Sequence, residues 1–425
     1  MDLPYRLGKY ELTRQIGKGA TGRVYHALDT FSGEEVAVKL VDKAVLTDPE
    51  FDEECRNQFL NEASLAGRLA HPHVVAILEA SVTEEAGHVV MEYVPGGNLI
   101  PHTKIGSLLP VEHALEIIFK CCGALDYACR QGIIHRDIKP ANLMVASGTD
   151  VKIGDFGAAI FYRAQATQAV SVGTPYFMSP EQIRGKRLTH LSDMYSLGIV
   201  SYQLLTGELP YQSKSLLDLF DAIVKGDAVP PGSRRSGLPA GLDAVILRMM
   251  AADPDQRYSN WADLALELAE LGRFSTFHQG VPDSEKFRML RAKSEFREFT
   301  DPEIWQLVQA SKWTKLPARS LVLQEDQPGE AMYILASGEL KVTKQGRLLN
   351  VIKAGECFGE MAYIQRGTTR HASIEALSDV LVAEFSVQAL ESLSANCELG
   401  FAKYLLRSMT DRLALADARI VQAHG

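Results

Sequence analysis

The sequence predicts an α+β chain of at least two units, the last of them a small β-barrel of jelly-roll type with flanking helices. Three observations carry that prediction. The 425 residues exceed what one hydrophobic core usually supports, so two or three compact units are expected. Residues 10–41 alternate apolar and polar positions around glycines, the period of half-buried strands joined by a tight turn. A second set of short alternating strands fills LPARSLVLQEDQPGEAMYILASGELKVTKQGRLLNVIKAGECFGE and resumes in ASIEALSDVLVAEFS. Its Gly and Pro turns give the spacing of a barrel.

Composition bounds the function classes. Apolar residues make up 46% of the chain and charged residues 23%, the balance of a soluble globular protein. A formal charge of −9 disfavours a surface that wraps nucleic acid. The six cysteines, Cys55, Cys121, Cys122, Cys129, Cys357 and Cys397, form no C-x-x-C pair, so reduced thiols are expected. The start, MDLPYRLGKYELT, lacks an apolar signal core, and no run approaches the length of a membrane span. A cytoplasmic protein with neither a membrane nor a nucleic-acid partner is expected.

The first strands bracket a phosphate-handling device. In Gly17-Lys18-Gly19-Ala20-Thr21-Gly22 the missing side chains let backbone approach a polyphosphate and offer N–H donors to it. A dinucleotide site shares this spacing but needs a helix directly after the glycines. Here Arg23 to Leu28 continues as strand until a turn at Ser32-Gly33. Lys39 closes the apolar strand VAVK, and the amphipathic stretch FLNEASLAGRLAHPHVV carries Glu62, the carboxylate a buried lysine needs to keep its charge. His71 and His73 sit in a helix-to-strand turn without an acidic neighbour and read as structural. HRDIKPANLMV and DVKIGDFGAAI then place Asp137, Lys139, Asn142 and Asp155 in two short strand-flanked loops. Asn and Asp oxygens suit a hard cation such as Mg²⁺, and another aspartate is left to orient a hydroxyl nucleophile.

Over about residues 8 to 270 the chain resembles the eukaryotic-type protein kinases. The motifs occur in the family's order: the glycine loop, Val36-Ala37-Val38-Lys39, Glu62, His135-Arg136-Asp137, Asn142, Asp155-Phe156-Gly157 and Ser179-Pro180-Glu181, with Ser179 where the family has Ala. Asp193 and Arg257 match the family's structural aspartate and the arginine that pairs Glu181. The resemblance implies a two-lobed protein kinase fold over residues 1–271, with an N-lobe to about 91 and a C-lobe from about 95. It implies that Lys39, held by Glu62, grips the α- and β-phosphates of ATP under the glycine loop. Asn142 and Asp155 would hold Mg²⁺ or Mn²⁺, and Asp137 would orient the substrate hydroxyl. Backbone at Glu92 and Val94 would bond adenine, with Ile16, Val24, Ala37 and Met144 around the ring. Lys139 and Thr174 resemble Ser/Thr kinases. Arg136 implies a phosphate on the activation segment, for which Thr167 and Ser171 are the candidates.

Residues 272–284 read as a linker, followed by a helical stretch to about Val308 and then the barrel strands. About residues 285–425 resemble the cyclic nucleotide-binding domains of catabolite activator protein and of the regulatory subunits of cAMP-dependent protein kinase. Gly329 and Gly338 fall at matching turns, Gly359-Glu360 opens the phosphate-binding cassette, and Arg370 follows at the family's spacing. The resemblance implies that Arg370 bonds the cyclic phosphate of cAMP or cGMP and Glu360 the ribose hydroxyl. His371 stands where Ser, Thr or Ala is usual, so the base, and whether a dimeric nucleotide such as cyclic di-GMP fits instead, stays open. A cassette kept as a folding unit, with Arg370 paired to an internal carboxylate, is the alternative. Leu399, Ala402, Leu406, Met409, Leu413, Ala416 and Ile420 alternate three and four apart, a seam that fits either a homodimer or packing on the chain's own barrel. No helix-turn-helix follows it.

The expected function is a Ser/Thr protein kinase acting on a protein substrate, regulated in cis by the C-terminal domain. The rivals are an active kinase whose last domain only dimerises and a non-catalytic nucleotide-binding scaffold.

Overall fold

The computed structural model describes residues 3–18, 22–41, 67–82, 87–156, 175–213, 215–271, 281, 283–364 and 369–424, with backbone alone at 82, 362, 363 and 411–424. The chain divides into two compact units, Met1–Thr276 and Phe277–Gly425.

The first unit opens with an antiparallel sheet of β1 (Tyr5–Leu7), β2 (Tyr10–Lys18), β3 (Gly22–Asp29), β4 (Glu35–Val41), β5 (Ile77–Val82) and β6 (Gly87–Glu92), in the order β1-β2-β3-β4-β6-β5. Alternation sends Tyr25, Ala27, Val36, Val38 and Val90 into one core. The β3–β4 turn is fixed by Asp29, whose carboxylate accepts from the amides of Phe31 at 2.9 Å and Ser32 at 3.4 Å. Beyond β6 the unit is mostly helical: α1 (Val111–Arg130), α2 (Pro180–Ile183), α3 (His190–Thr206), α4 (Leu216–Lys225), α5 (Leu242–Met249) and α6 (Trp261–Leu271). A two-stranded hairpin, β7 (Leu143–Ser147) with β8 (Asp150–Ile153), interrupts them. Helix α3 is the axis of this core. A Thr189–Ser192 capping box starts it, left-handed Gly207 ends it, and most of its residues are buried. A capping box satisfies amides at the helix start that would otherwise lack acceptors.

Cys121 and Cys122 lie wholly buried on α1, and burial pushes the Cys121 thiol up to about 12. Such thiols are inert at neutral pH. Cys55 lies outside the described residues. His71 and His73 are structural too. The Nδ1 of His71 accepts from the His73 amide at 3.1 Å, and the Nδ1 of His73 donates to the Val151 carbonyl at 2.9 Å. Among the described residues the Nε2 of His71 lacks a hydrogen-bond partner, and burial holds the pKa of His71 well below the usual value.

The second unit begins with α7 (Asp283–Arg291), a short turn of helix at Ser294–Phe296 and α8 (Asp301–Ala310). The sequence reads as one helical stretch here. It breaks because Thr300 starts a new helix, receiving Glu303 in a capping box with Pro302 in the first turn. Two four-stranded sheets follow. One has the order β10-β15-β12-β13, from β10 (Leu321–Leu323), β12 (Glu339–Lys344), β13 (Arg347–Lys353) and β15 (Ser373–Ala376). The other has the order β14-β11-β16-β9, from β9 (Lys312–Leu316), β11 (Ala331–Ser337), β14 (Cys357–Phe358) and β16 (Val380–Ser386). Leu335, Leu340, Ile352, Phe358, Ile374 and Val382 fill the space within. The short α9 (Met361–Ile364) follows β14, and α10 (Val387–Glu391) and α11 (Ala395–His424) come last.

Helix α11 has two apolar faces. Cys397, Phe401, Tyr404 and Leu405 are buried, and the Tyr404 hydroxyl donates to the Gly355 carbonyl at 2.9 Å. Leu399 is 56% and Leu406 65% exposed, so these two residues of the seam read from the sequence are not packed on the barrel, while Leu413, Ala416 and Ile420 lie where backbone alone is described.

Candidate active site and anion-binding site

The glycine loop is flanked by paired strands: Gly17 on β2 faces Val24, and Gly22 on β3 faces Val41. Gly22 is required by packing: a Cβ there would collide with the Leu40 carbonyl across the strand pair, whereas one on Gly17 would make only ordinary contact with Val24. Gly19 lies outside the described residues. Ala37 pairs with Met91 and Val36 with Glu92, which brings β4 beside the segment that joins the sheet to the helices. Met144 approaches the same segment through a bridge to Asn98. Ile16 remains exposed, Val24 and Met144 are half-buried, and Ala37 and Val94 are buried.

The Glu92 carboxylate lies 2.8 Å from the Lys152 ammonium. This ion pair joins β6 to the β7–β8 hairpin, and nothing in the sequence announces it, because the partners stand 60 residues apart.

Lys39 is buried and not a surface lysine; its ammonium lies 2.7 Å from Asp155 Oδ1. Glu62, its expected partner, lies outside the described residues. Asp155 adopts a left-handed φ of 64°. Burial pushes its carboxyl up, but the charge and hydrogen bond of Lys39, with His135 and Lys139 nearby, outweigh that and hold it below the ordinary value.

The loop before it is built on Asp193, which projects from α3 and accepts from the amides of His135 at 2.8 Å and Arg136 at 2.7 Å. Arg136 is thereby held at a φ of 67°. Burial raises the Asp193 carboxyl above its usual value, against the pull of these amides and the adjacent cations. His135 Nε2 donates to the Gly154 carbonyl at 2.8 Å and its Nδ1 accepts from the Asp137 amide at 3.2 Å, which joins the two loops. Asp137 Oδ2 meets the Lys139 ammonium at 2.8 Å and the Asn142 amide at 3.1 Å. Among the described residues its other oxygen, Oδ1, has no partner. The Gly154 amide donates to the Asn142 carbonyl at 2.8 Å, setting Asn142 beside Asp155.

Farther back, Arg257 grips Glu181 through two bonds of 2.8 and 3.0 Å, and Ser192 donates to the same carboxylate at 2.8 Å. Burial favours protonation of Glu181, but Arg257 outweighs it and holds the carboxyl below its ordinary range. Arg136 Nε is buried with no hydrogen-bond partner among the described residues. Thr167, Ser171 and Thr174 lie outside them.

The second unit brings Gly359, Glu360 and Arg370 together, with Glu360 and Arg370 both buried. Arg370 donates to the Gly359 carbonyl at 3.0 Å and the Ala331 carbonyl at 2.7 Å. Its guanidinium lies 5.8 Å from the centre of the Tyr333 ring. Among the described residues none of its bonds goes to a carboxylate, which speaks against the internal ion pair. His371, the next residue, is exposed.

The protein kinase domain profile matches residues 10–268, and the cyclic nucleotide-binding domain profile matches residues 313–397. The chain belongs to the protein kinase family. Its second unit is a cyclic nucleotide-binding domain, consistent with the barrel described. Relatives of the kinase unit include serine/threonine-protein kinase PknB of Mycobacterium tuberculosis (strain H37Rv), 39% identical over 287 residues, which is 64% of this chain and 44% of the relative. PknB of Mycobacterium leprae is 36% identical over 286 residues, 66% of this chain and 44% of the relative. PknB of Mycolicibacterium smegmatis is 38% identical over 308 residues, 69% and 48%. The chain thus spans less than half the length of these curated relatives. Among the described residues, no helix is long and apolar enough to cross a membrane.

Proposed function

We propose that this kinase transfers the γ-phosphoryl group of ATP to Ser or Thr hydroxyls of a protein substrate, and that its C-terminal domain reads a cyclic nucleotide and biases that activity. The cluster of Asp137, Lys139 and Asn142 carries the first half. One Asp137 oxygen is engaged by Lys139 and Asn142, which fixes the carboxylate and leaves the other to accept from a substrate hydroxyl. Lys139 stands where it would meet charge on the phosphoryl group in transfer. Asn142 uses its amide nitrogen toward Asp137, and Asp155 uses one oxygen toward Lys39. Each keeps an oxygen for a hard cation, so the donor set fits Mg²⁺ or Mn²⁺. When bound, that ion neutralises phosphate charge. Lys39 would then exchange part of its contact with Asp155 for the α- and β-phosphates, and Glu62 would hold it there. Glu92 and Val94 would offer backbone to adenine between Ile16, Val24, Ala37 and Met144, under the loop of Gly17, Gly19 and Gly22. Arg136 Nε, buried and without a partner among the described residues, supports an activation-segment phosphate at Thr167 or Ser171.

In the barrel, Arg370 would take the cyclic phosphate of cAMP or cGMP, with Gly359 and Glu360 beside it and His371 at the exposed side. Coupling between two such sites is typically about 1–3 kcal/mol. The outward leucines of α11 support a homodimer through this helix. Radiolabel transfer from ATP to a basic protein, with and without cAMP, cGMP and cyclic di-GMP, tests both halves. Transfer that Asp137→Asn abolishes, and that a nucleotide alters, is the expected result. Equal labelling by wild type and Asp137→Asn would overturn the catalytic reading, and a rate indifferent to all three nucleotides the regulatory one.

A further inference from the structure

Gly329 sits in the loop before β11, and it is not one of the glycines with positive φ. Its backbone therefore does not demand glycine. Space does. A Cβ built on Gly329 would overlap the Nε and Cζ of Arg370, and one on Gly359 would come within 2.8 Å of its Nη1. The loop cannot retreat from the guanidinium, because its backbone is tied to Arg370 itself. The Arg370 amide donates to the Gln327 carbonyl at 2.8 Å, and the Asp326 amide donates to the Arg370 carbonyl at 2.8 Å. Pro328 and Thr369 are bridged alongside.

We propose that Gly329 is a positioning residue for Arg370: its missing side chain opens the socket that holds the guanidinium in place for an anion. The Ala331 and Gly359 carbonyls anchor the two terminal nitrogens from within, and the Tyr333 ring, itself stacked on Phe358 at 5.2 Å, walls one side. A guanidinium has more N–H donors than the two so used, so donors remain for ligand oxygens. The purpose of the socket rests on the cyclic-nucleotide reading; its existence does not.

The test uses the full chain and two kinds of measurement. Phenylglyoxal modification mapped by mass spectrometry should find Arg370 protected in the wild type, against the exposed Arg347. Gly329→Ala should bring Arg370 to the rate of Arg347, and Glu330→Ala, an exposed neighbour, should not. Thermal unfolding then separates displacement from misfolding. Gly329→Ala should lower the melting temperature in the wild-type background and leave it unchanged in the Arg370→Ala background, where the methyl has room. Continued protection of Arg370 in Gly329→Ala, or an equal fall in both backgrounds, would overturn the proposal. Calorimetric titration with cAMP, cGMP and cyclic di-GMP completes it. Any nucleotide that binds the wild type should bind Gly329→Ala at least about tenfold more weakly, as expected when a bond to a charged group is lost. A wild type that binds none of the three removes the nucleotide reading and leaves the socket to be judged by modification and melting.

Discussion

The kinase unit and the barrel unit both hold cations where phosphate chemistry is expected, and they neutralise them differently. In the kinase unit Lys39 and Lys139 each rest on a carboxylate, at 2.7 and 2.8 Å, as does the structural Arg257 farther back, at 2.8 Å. In the barrel Arg370 rests on two neutral carbonyls. A buried charge is costly unless an opposite charge compensates it. The kinase cations are compensated before any nucleotide arrives, so ATP must exchange one partner for another. Among the described residues Arg370 bonds only neutral carbonyls, so a bound anion would supply a counter-charge. The first arrangement suits a site that must turn over, and the second one that must register presence or absence.

Breaking the kinase side should produce the largest effects. Asp137→Asn removes the acceptor for the substrate proton, and kcat should fall about 10²–10⁴-fold with ATP affinity retained, in steady-state assays. A loss under tenfold would deny Asp137 its role. Arg257→Ala should cost about 3–5 kcal/mol, because Glu181 is left buried without its counter-charge; hydrogen exchange along His190–Thr206 reads it out. Arg370→Ala sharpens the contrast. It leaves no orphaned carboxylate, so its stability cost should be far smaller, while affinity for the cyclic nucleotide should fall about 10–150-fold by calorimetry. If Arg370→Ala destabilises as much as Arg257→Ala, the two sites are not built differently.

The smallest effect is in pH dependence. Lys39 holds Asp155 below the ordinary carboxylate range. The pair's contribution is therefore present above the unfolded value and lost only as pH falls through the lower folded one. In Lys39→Met the burial term is less opposed, so the Asp155 titration followed by NMR should move upward. An unchanged titration would mean that Lys39 does not set it.

Much of the kinase site was legible because its residues lie in short contiguous motifs, so that His135, Asp137, Lys139 and Asn142 are neighbours before any folding. Asp193 and Arg257 were legible through the family resemblance. Their physical work, clamping two amides and gripping Glu181, was visible only in the fold. Glu92 with Lys152 was not legible, since two ordinary charged residues on different strands carry no local signal. The barrel shows the same limit. Arg370 was named from its spacing, but the Ala331 carbonyl that anchors it lies 39 residues away. Gly329 read as a turn glycine, and the room it leaves for the Arg370 guanidinium was visible only in the fold. The seam of α11 was found by its period, and period alone does not say which way a helix face points.

That outward face has a consequence for dosage. Were the proposed homodimer to form through Leu399 and Leu406, it would follow mass action, and the balance of single and paired chains would depend on how many copies are present. If the last domain reads a nucleotide as proposed, its response would be compared at low and high chain concentration to find whether pairing alters it.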